Sequence, residues 1–202
     1  RFAEYPRPAN LDQVLEGIEA ARQAGFKRIK INSVIQKGRN DDEVADLVAF
    51  AVARGLDISF IEEMPLGSVS SHQREITFCS SEEVRERIEQ RYQLVRSNHA
   101  TGGPSRYWQV AGSETQVGFI SPHSNNFCGS CNRVRVTAEG KLVLCLGDEG
   151  ALDLKSLIRR HPGDSERLRD ALMTALQLKP EKHHFRTDEQ VQVVRFMSMT
   201  GG

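Results

Sequence analysis

An α/β first part followed by an α+β second part is the fold the sequence predicts, and three observations predict it. Between residues 10 and 63, two helix-like stretches alternate with two strand-like ones over short connections, the repeat of an α/β barrel or a doubly wound sheet. After Gly67 the apolar runs become short and closely spaced, which suits antiparallel strands. The run NNFCGSCNRVRVTAEGKLVLCL at 125–146 then places three of the four cysteines on the pattern of a β-hairpin.

In order along the chain, Asn10 is a good helix cap with Gln13 three residues on, and Leu11, Val14, Leu15, Ile18 and Ala21 repeat at helical spacing before Gly25. Residues 28–35 follow as a strand. Ile29 and Ile31 fall on one face and Lys30 and Asn32 on the other, so in a barrel the isoleucines would meet outer helices and Lys30 would point inward. Asn40, with Glu43 in the capping-box position, predicts a second helix with Val44, Leu47, Val48 and Ala51 as its stripe and Gly55 at its end. Residues 57–63 form the next strand, whose carboxyl end carries Glu62, Glu63 and Met64, where α/β folds gather functional groups. Two parallel strands cannot close a barrel, so this part is expected to leave a sheet edge and apolar surface uncovered.

Beyond Pro65-Leu66-Gly67, Ser80 caps a helix carrying Val84 and Ile88. Residues 92–95, 107–110 and 117–120 read as antiparallel strands leading into the cysteine hairpin. Asp153 and Asp164 then open two helices with Leu154, Leu157 and Ile158 on one stripe and Leu168, Leu172 and Leu176 on the other. The tail from Pro180 reads as polar and extended, with His183 and His184 as an exposed or capping pair.

Composition narrows the partners. With 202 residues, 39% of them hydrophobic, the chain can bury roughly 70% of its unfolded surface. Its 27 basic and 27 acidic side chains cancel, which leaves no overall field to hold nucleic acid or an anionic membrane, so any anion must be bound locally. No run of about eighteen apolar residues is present to span a bilayer. Four cysteines, three in metal spacing, argue against a secreted disulfide framework and for a reducing compartment, with a cytoplasmic location expected; Cys79, left over, reads as a buried structural thiol.

The hairpin carries the chemistry. Cys128 and Cys131 make a C-x2-C turn around Gly129 and Ser130, and thirteen residues separate Cys131 from Cys145. Strands turning at Glu139-Gly140 would return Cys145 beside that turn, so three thiolates could meet at one point. Three ligands do not close a structural zinc site, whereas an iron–sulfur cluster held by three thiolates leaves one iron open. Zinc with a histidine as fourth ligand, and plain buried thiols or a disulfide, stay open as readings of the spacing. Arg133 and Arg135 alternate with Val134 and Val136, so both guanidiniums leave one face beside Cys131, either as a fork for phosphate or a purine edge or as a solvated strand face.

The run FCGSCNRVRVTAEGKLVLCL, together with GFKRIKINSVIQKGRND, FIEEMPLG, GFISPHSNNFC and a terminal Gly-Gly, resembles the GTP 3′,8-cyclase family, the radical-SAM enzymes of molybdenum cofactor biosynthesis. The resemblance implies that residues 1–66 are the last βα units of a partial radical-SAM (β/α) barrel and residues 67–202 a second-cluster, GTP-binding domain. In that family a SAM-derived radical takes hydrogen from the ribose of GTP. The ribose carbon then bonds to C8 of the purine, giving (8S)-3′,8-cyclo-7,8-dihydroguanosine 5′-triphosphate.

By the same resemblance, Cys128, Cys131 and Cys145 hold a [4Fe-4S] cluster with one open iron. Lys30 and the segment Arg133, Val134 and Arg135 contact GTP, Met64 lies against S-adenosyl-L-methionine, and Gly201 and Gly202 reach the active site. The C-x3-C-x2-C run that holds the family's SAM-binding cluster is not in this sequence, so an amino-terminal part carrying it, with a second [4Fe-4S], is expected outside these residues. Implied partners are GTP and, downstream, cyclic pyranopterin monophosphate synthase; a homodimer is kept as an open expectation. Ser59 stands where the family commonly has arginine, and Lys30 could pair with Glu62 instead of a nucleotide. The rival class is a zinc-ribbon-like binding module built on the three cysteines and His123, its basic hairpin docking on nucleic acid or protein.

Overall fold

The computed structural model describes residues 10–66, 74–183, 185 and 199. Helix α1 (Leu11–Gln23) begins where Asn10 accepts a hydrogen bond from the backbone N–H of Asp12, and ends at Ala24, before Gly25 at φ 80°. Strand β1 (Lys30–Ile35) follows, then α2 (Val44–Arg54) and β2 (Asp57–Glu62). The cap expected at Asn40 is displaced: Glu43 precedes α2 without a side-chain cap bond. Asn40 instead accepts from the Gln36 N–H at 2.8 Å and donates to the Val34 carbonyl at 3.0 Å. It closes the loop between β1 and α2, because a short amide side chain bonds the nearest turn first.

Past residue 73 come α3 (Arg74–Thr77), α4 (Ser81–Glu89), β3 (Leu94–Arg96), β4 (Arg106–Val110) and β5 (Gln116–Ile120). The short α3 had no periodic signal in the sequence. Ser80 and Glu83 form the reciprocal capping box of α4. The five strands lie in the order β1-β2-β5-β4-β3, with β1-β2 and β2-β5 parallel and the other pairs antiparallel. Among the described residues this is an open mixed sheet. It runs across the division expected at residue 66, because β5 takes the parallel place beside β2.

The sheet has two unlike faces. Ile35, Ile58, Phe60, Val110, Val117 and Phe119 pack under α2 and α4 with Val44, Val48, Ala51, Val84 and Ile88, forming the main core. Ile29, just before β1, and Ile31 within it pack against this core, as their alternation predicts. The opposite face carries Lys30, Asn32, Ser59, Tyr107 and Gln109, the polar members of the same strands, with Gly118 in register between Ser59 and Tyr107. No residue of α1 is buried, Leu11, Val14 and Leu15 are exposed, and β1 is an edge strand with Val34 in the open. Among the described residues, the uncovered edge and apolar surface expected of this part are therefore present.

A second sheet, β6 (Arg135–Val136), β7 (Lys141–Val143) and β8 (Ala151–Asp153), is antiparallel throughout. Helices α5 (Leu154–Arg160) and α6 (Ser165–Gln177) follow, capped by Asp153 and Asp164 as predicted. Leu142, Leu144 and Ala175 form a separate small core with Leu152, Leu154 and Leu172. Strand β8 was not anticipated, since three residues are too few to show alternation. No described helix is long and apolar enough to cross a membrane.

Candidate functional site

The cysteine segment folds as its residue types require. The Asn126 side chain accepts from the Cys128 N–H at 2.7 Å, and the Cys131 N–H donates to the Cys128 carbonyl at 2.9 Å across a single 3-10 turn, Cys128–Ser130. The hairpin then turns at Gly140, whose φ of 78° admits glycine without strain. Its ladder pairs Arg135 with Val143 and Val136 with Leu142. The same register carried two residues further would set Cys145 opposite Arg133, but the pairing ends at Arg135 and Val143.

The Cys145 thiol feels the charges of both other cysteines of the segment. Burial pushes the Cys145 thiol up, and the charges of Cys128 and Cys131 push it the same way, against the Gly147 N–H and Lys179. Burial also raises Cys131, but the Arg133 N–H and the charges of Lys179 and Arg133 outweigh it and leave that thiol low. Each sulfur thus meets one backbone donor: Arg133 for Cys131, Gly147 for Cys145, and for Cys128 the N–H of His183 at 3.4 Å. Amide donors of this kind stabilise thiolates, the form that binds metal.

Among the described residues, no three His, Cys, Asp or Glu side chains are gathered around a point that could hold one metal ion. The immediate convergence expected from the hairpin is to that extent looser than predicted, because the paired ladder stops before it reaches the cysteines. A cluster several atoms across takes more widely set thiolates than a single ion, so the donor set, three soft sulfurs with amide donors and cations around them, fits an iron–sulfur group.

The arginines keep the face predicted for them. Arg133 and Arg135 are half-buried while Val134 and Val136 face solvent. The Arg133 guanidinium lies 5.4 Å from the Phe127 ring centroid. Burial and the like charge of Arg133 lower the Arg135 pKa, with Cys131 and Cys145 pulling the other way, which sets both arginines close to the sulfurs.

Lys30 does not pair with Glu62. It lies on the polar face of the sheet, its ammonium 3.2 Å from the Tyr107 hydroxyl, at the opposite end of the parallel pair from Met64. Met64 is half-buried just past β2, its carbonyl accepting from the Leu66 N–H at 2.8 Å. Ser59 is fully buried and hydrogen-bonded to Ser105 at 2.9 Å. Glu62 is consumed structurally: its carboxylate accepts from the N–H groups of Ser81, His123 and Ser124 and from the Ser124 hydroxyl. His123, the fourth ligand of the zinc reading, has its Nε2 3.0 Å from the Glu63 carbonyl.

His183 is not an exposed residue of a polar tail. It is half-buried, with Nε2 2.8 Å from the Pro122 carbonyl and its ring 4.4 Å from that of Phe185. His184, Gly201 and Gly202 lie outside the described residues. Sequence reasoning passed over Tyr107, which reads as an ordinary strand aromatic. It also passed over Lys179, which reads as the basic last turn of a helix; only Pro180 beside it hints that the chain leaves the helix there.

Fold and site together define an α/β protein whose second sheet presents a basic, thiol-bearing hairpin. The chain belongs to the family described as Molybdenum Cofactor Synthesis C, whose pattern matches residues 56–185. It is 79% identical over 202 residues to the GTP 3′,8-cyclase of Ectopseudomonas mendocina (strain ymp), covering all of this chain and 61% of that protein. Identity is 68% to GTP 3′,8-cyclase 2 of Pseudomonas aeruginosa and 58% to the GTP 3′,8-cyclase of Pseudomonas putida (strain W619), again over 61% of their length. The chain thus spans about three-fifths of the curated relatives it matches.

Proposed function

We propose that this chain is the second-cluster and nucleotide-binding part of a GTP 3′,8-cyclase, serving the first step of molybdopterin biosynthesis in the cytoplasm. The observation that carries the reading is the hairpin site: three thiols on one segment, each with a backbone N–H, flanked by Arg133 and Arg135. Cys128, Cys131 and Cys145 would hold a [4Fe-4S] cluster, which when bound offers an open iron to a nitrogen or oxygen of the base.

The chain's own groups do the rest. Arg133 and Arg135 are half-buried, so their charge-assisted bonds to substrate meet little competition from water, each worth about 1.5–3 kcal/mol. Val134 holds the two guanidiniums on one face by its place between them. Lys30 extends the cationic surface on the polar face of the main sheet, suited to a triphosphate. The β1-α2-β2 unit with its open edge suits the end of a partial radical-SAM barrel, completed by sequence corresponding to the part of the relatives that this chain does not cover. Met64 at the carboxyl end of β2 suits a contact to S-adenosyl-L-methionine, whose own [4Fe-4S] would reside in that further part. The terminal Gly201 and Gly202 complete the active site in this reading, and cyclic pyranopterin monophosphate synthase takes the product.

The 202 residues hold four cysteines and so no second set of three, and in this reading the chain by itself binds GTP without turning it over. Anaerobic reconstitution with iron and sulfide, metal analysis and GTP titration test this. Iron with inorganic sulfide, and GTP binding that requires it, support the reading; one colourless zinc per chain, or turnover by the isolated chain, overturns it.

A further inference from the structure

We propose that Lys179 is a positioning residue for the cysteine site: its ammonium ties the arm bearing Cys131 to the arm bearing Cys145 and leaves its charge beside both. This rests on the cluster reading above. Helix α6 ends at Gln177 with Leu178 as its C-cap, and Pro180 cannot continue it, so Lys179 leaves the helix at a fixed point, its N–H still bonded to the Leu176 carbonyl at 3.2 Å. From there Nζ donates to the Arg133 carbonyl at 3.0 Å and to the Leu144 carbonyl at 2.5 Å.

Those two carbonyls lie where the hairpin needs a link. The β6-β7 ladder consists of two residue pairs, Arg135 with Val143 and Val136 with Leu142, both on the turn side of the cysteines. Arg133 follows Cys131 by two residues and Leu144 directly precedes Cys145, so one ammonium spans the arms just beyond the end of the ladder. Leu144 is buried and Lys179 half-buried, which limits competition from water for both bonds. An ammonium suits the task because its three N–H groups point in diverging directions, whereas a guanidinium fork is planar.

The charge has a second consequence. The ammonium sits on the carbonyls two residues after Cys131 and one before Cys145. A fixed positive charge at this place also stabilises the more negative, reduced state of a bound cluster and so raises its midpoint potential. Geometry and charge are separable by substitution: Lys179→Met removes both, Lys179→Gln keeps a donor without charge, and Lys179→Arg keeps charge with altered geometry.

The test uses the anaerobically reconstituted protein, with iron and sulfide content, the rate of iron loss to a chelator, and the midpoint potential from an EPR-monitored titration. Expected are several-fold faster iron loss for Lys179→Met and a more negative midpoint for both Lys179→Met and Lys179→Gln, with Lys179→Arg returning the midpoint toward wild type. A purely structural lysine would not move the midpoint with charge. Wild-type midpoints in both neutral variants overturn the proposal while the cluster reading stands. Should Lys179→Met fail to fold, the Gln and Arg pair still decides the point. Wild-type protein that takes up no iron and sulfide overturns the cluster reading and this proposal with it.

Discussion

The Lys30 ammonium donates to the Tyr107 hydroxyl at 3.2 Å, joining edge strand β1 to β4 across β2 and β5. The Tyr107 ring is buried against His99, edge to face at 4.8 Å, and cannot turn away. Burial raises the phenol pKa, but bonds to Thr101, Lys30 and Ser105 outweigh that and leave it lowered. The hydroxyl therefore aims the lysine. In the proposed function, Tyr107→Phe keeps the ring and weakens GTP binding about five-fold, the loss of one ordinary hydrogen bond. Lys30→Met costs about ten- to a hundred-fold. Calorimetric titration of the reconstituted protein measures both, and equal affinities for wild type and Lys30→Met would remove Lys30 from the site.

Glu62 holds the polar loop after β5 to the end of β2. Its carboxylate is 2% exposed and accepts from Ser81, His123 and Ser124. Glu62→Ala strands these buried donors, so a loss of at least about 2 kcal/mol is expected in urea unfolding, with Glu62→Gln intermediate because it keeps one acceptor. Unchanged stability in Glu62→Ala would mean that water replaces the carboxylate.

Glu62 also shows where reading the sequence stopped. Its place at a strand end was legible, because apolar alternation and capping residues reveal elements, and the same logic located α1, α4, α5, α6 and the hairpin. Its partners were not, since they come from residues 81, 123 and 124, brought together only when β5 enters beside β2. Nothing local in 116–120 distinguishes a strand that pairs in parallel from the antiparallel one expected there. The cysteine, arginine and valine pattern was legible because ligand spacing and alternation are local signals, whereas Lys179 acts 46 residues from Arg133 and left no trace in spacing.

The α4 capping box carries a pH dependence. Lys37 at 2.9 Å, the Ser80 N–H and the Ser80 hydroxyl, against some burial, lower the Glu83 pKa to about 2. A carboxylate depressed in the folded state binds fewer protons there than when unfolded, so its stabilisation is complete above about pH 4.5 and fades as pH falls toward about 2. Glu83→Gln should flatten stability across that window and leave the shape of the curve near neutrality unchanged. Salt should weaken the Lys37 share, since that pair is solvent-exposed. Thermal unfolding from pH 2 to 7 measures it, and parallel curves for the two proteins would contradict it.

Gly118 is required by crowding, not by φ. A Cβ there would stand 2.1 Å from Ser105 Oγ, 2.4 Å from Ser59 Oγ and 2.8 Å from the Tyr107 ring, with the two serines bonded to each other. Gly118→Ala should destabilise by about 1–3 kcal/mol, as overpacking does. Because it displaces Tyr107, it should also weaken GTP binding in the proposed function, as Tyr107→Phe does. Urea unfolding that shows wild-type stability would mean the serines repack freely.

Cys79 separates from the other three thiols by chemistry. It is 1% exposed in the main core, and burial, helped by the charges of Glu83 and Asp41, pushes its pKa to about 11 against Arg87 and Lys37. At pH 8 roughly one Cys79 in a thousand is thiolate, the reactive form, and the core blocks the reagent as well. Iodoacetamide on the metal-free native protein should therefore modify Cys128, Cys131 and Cys145 and spare Cys79, which reacts only in denaturant. Peptide mass mapping reads the outcome directly. Rapid labelling of Cys79 in the native protein would mean that the sheet and α4 part far more often than a packed core permits, and the assignment of Cys79 to that core would fall with it.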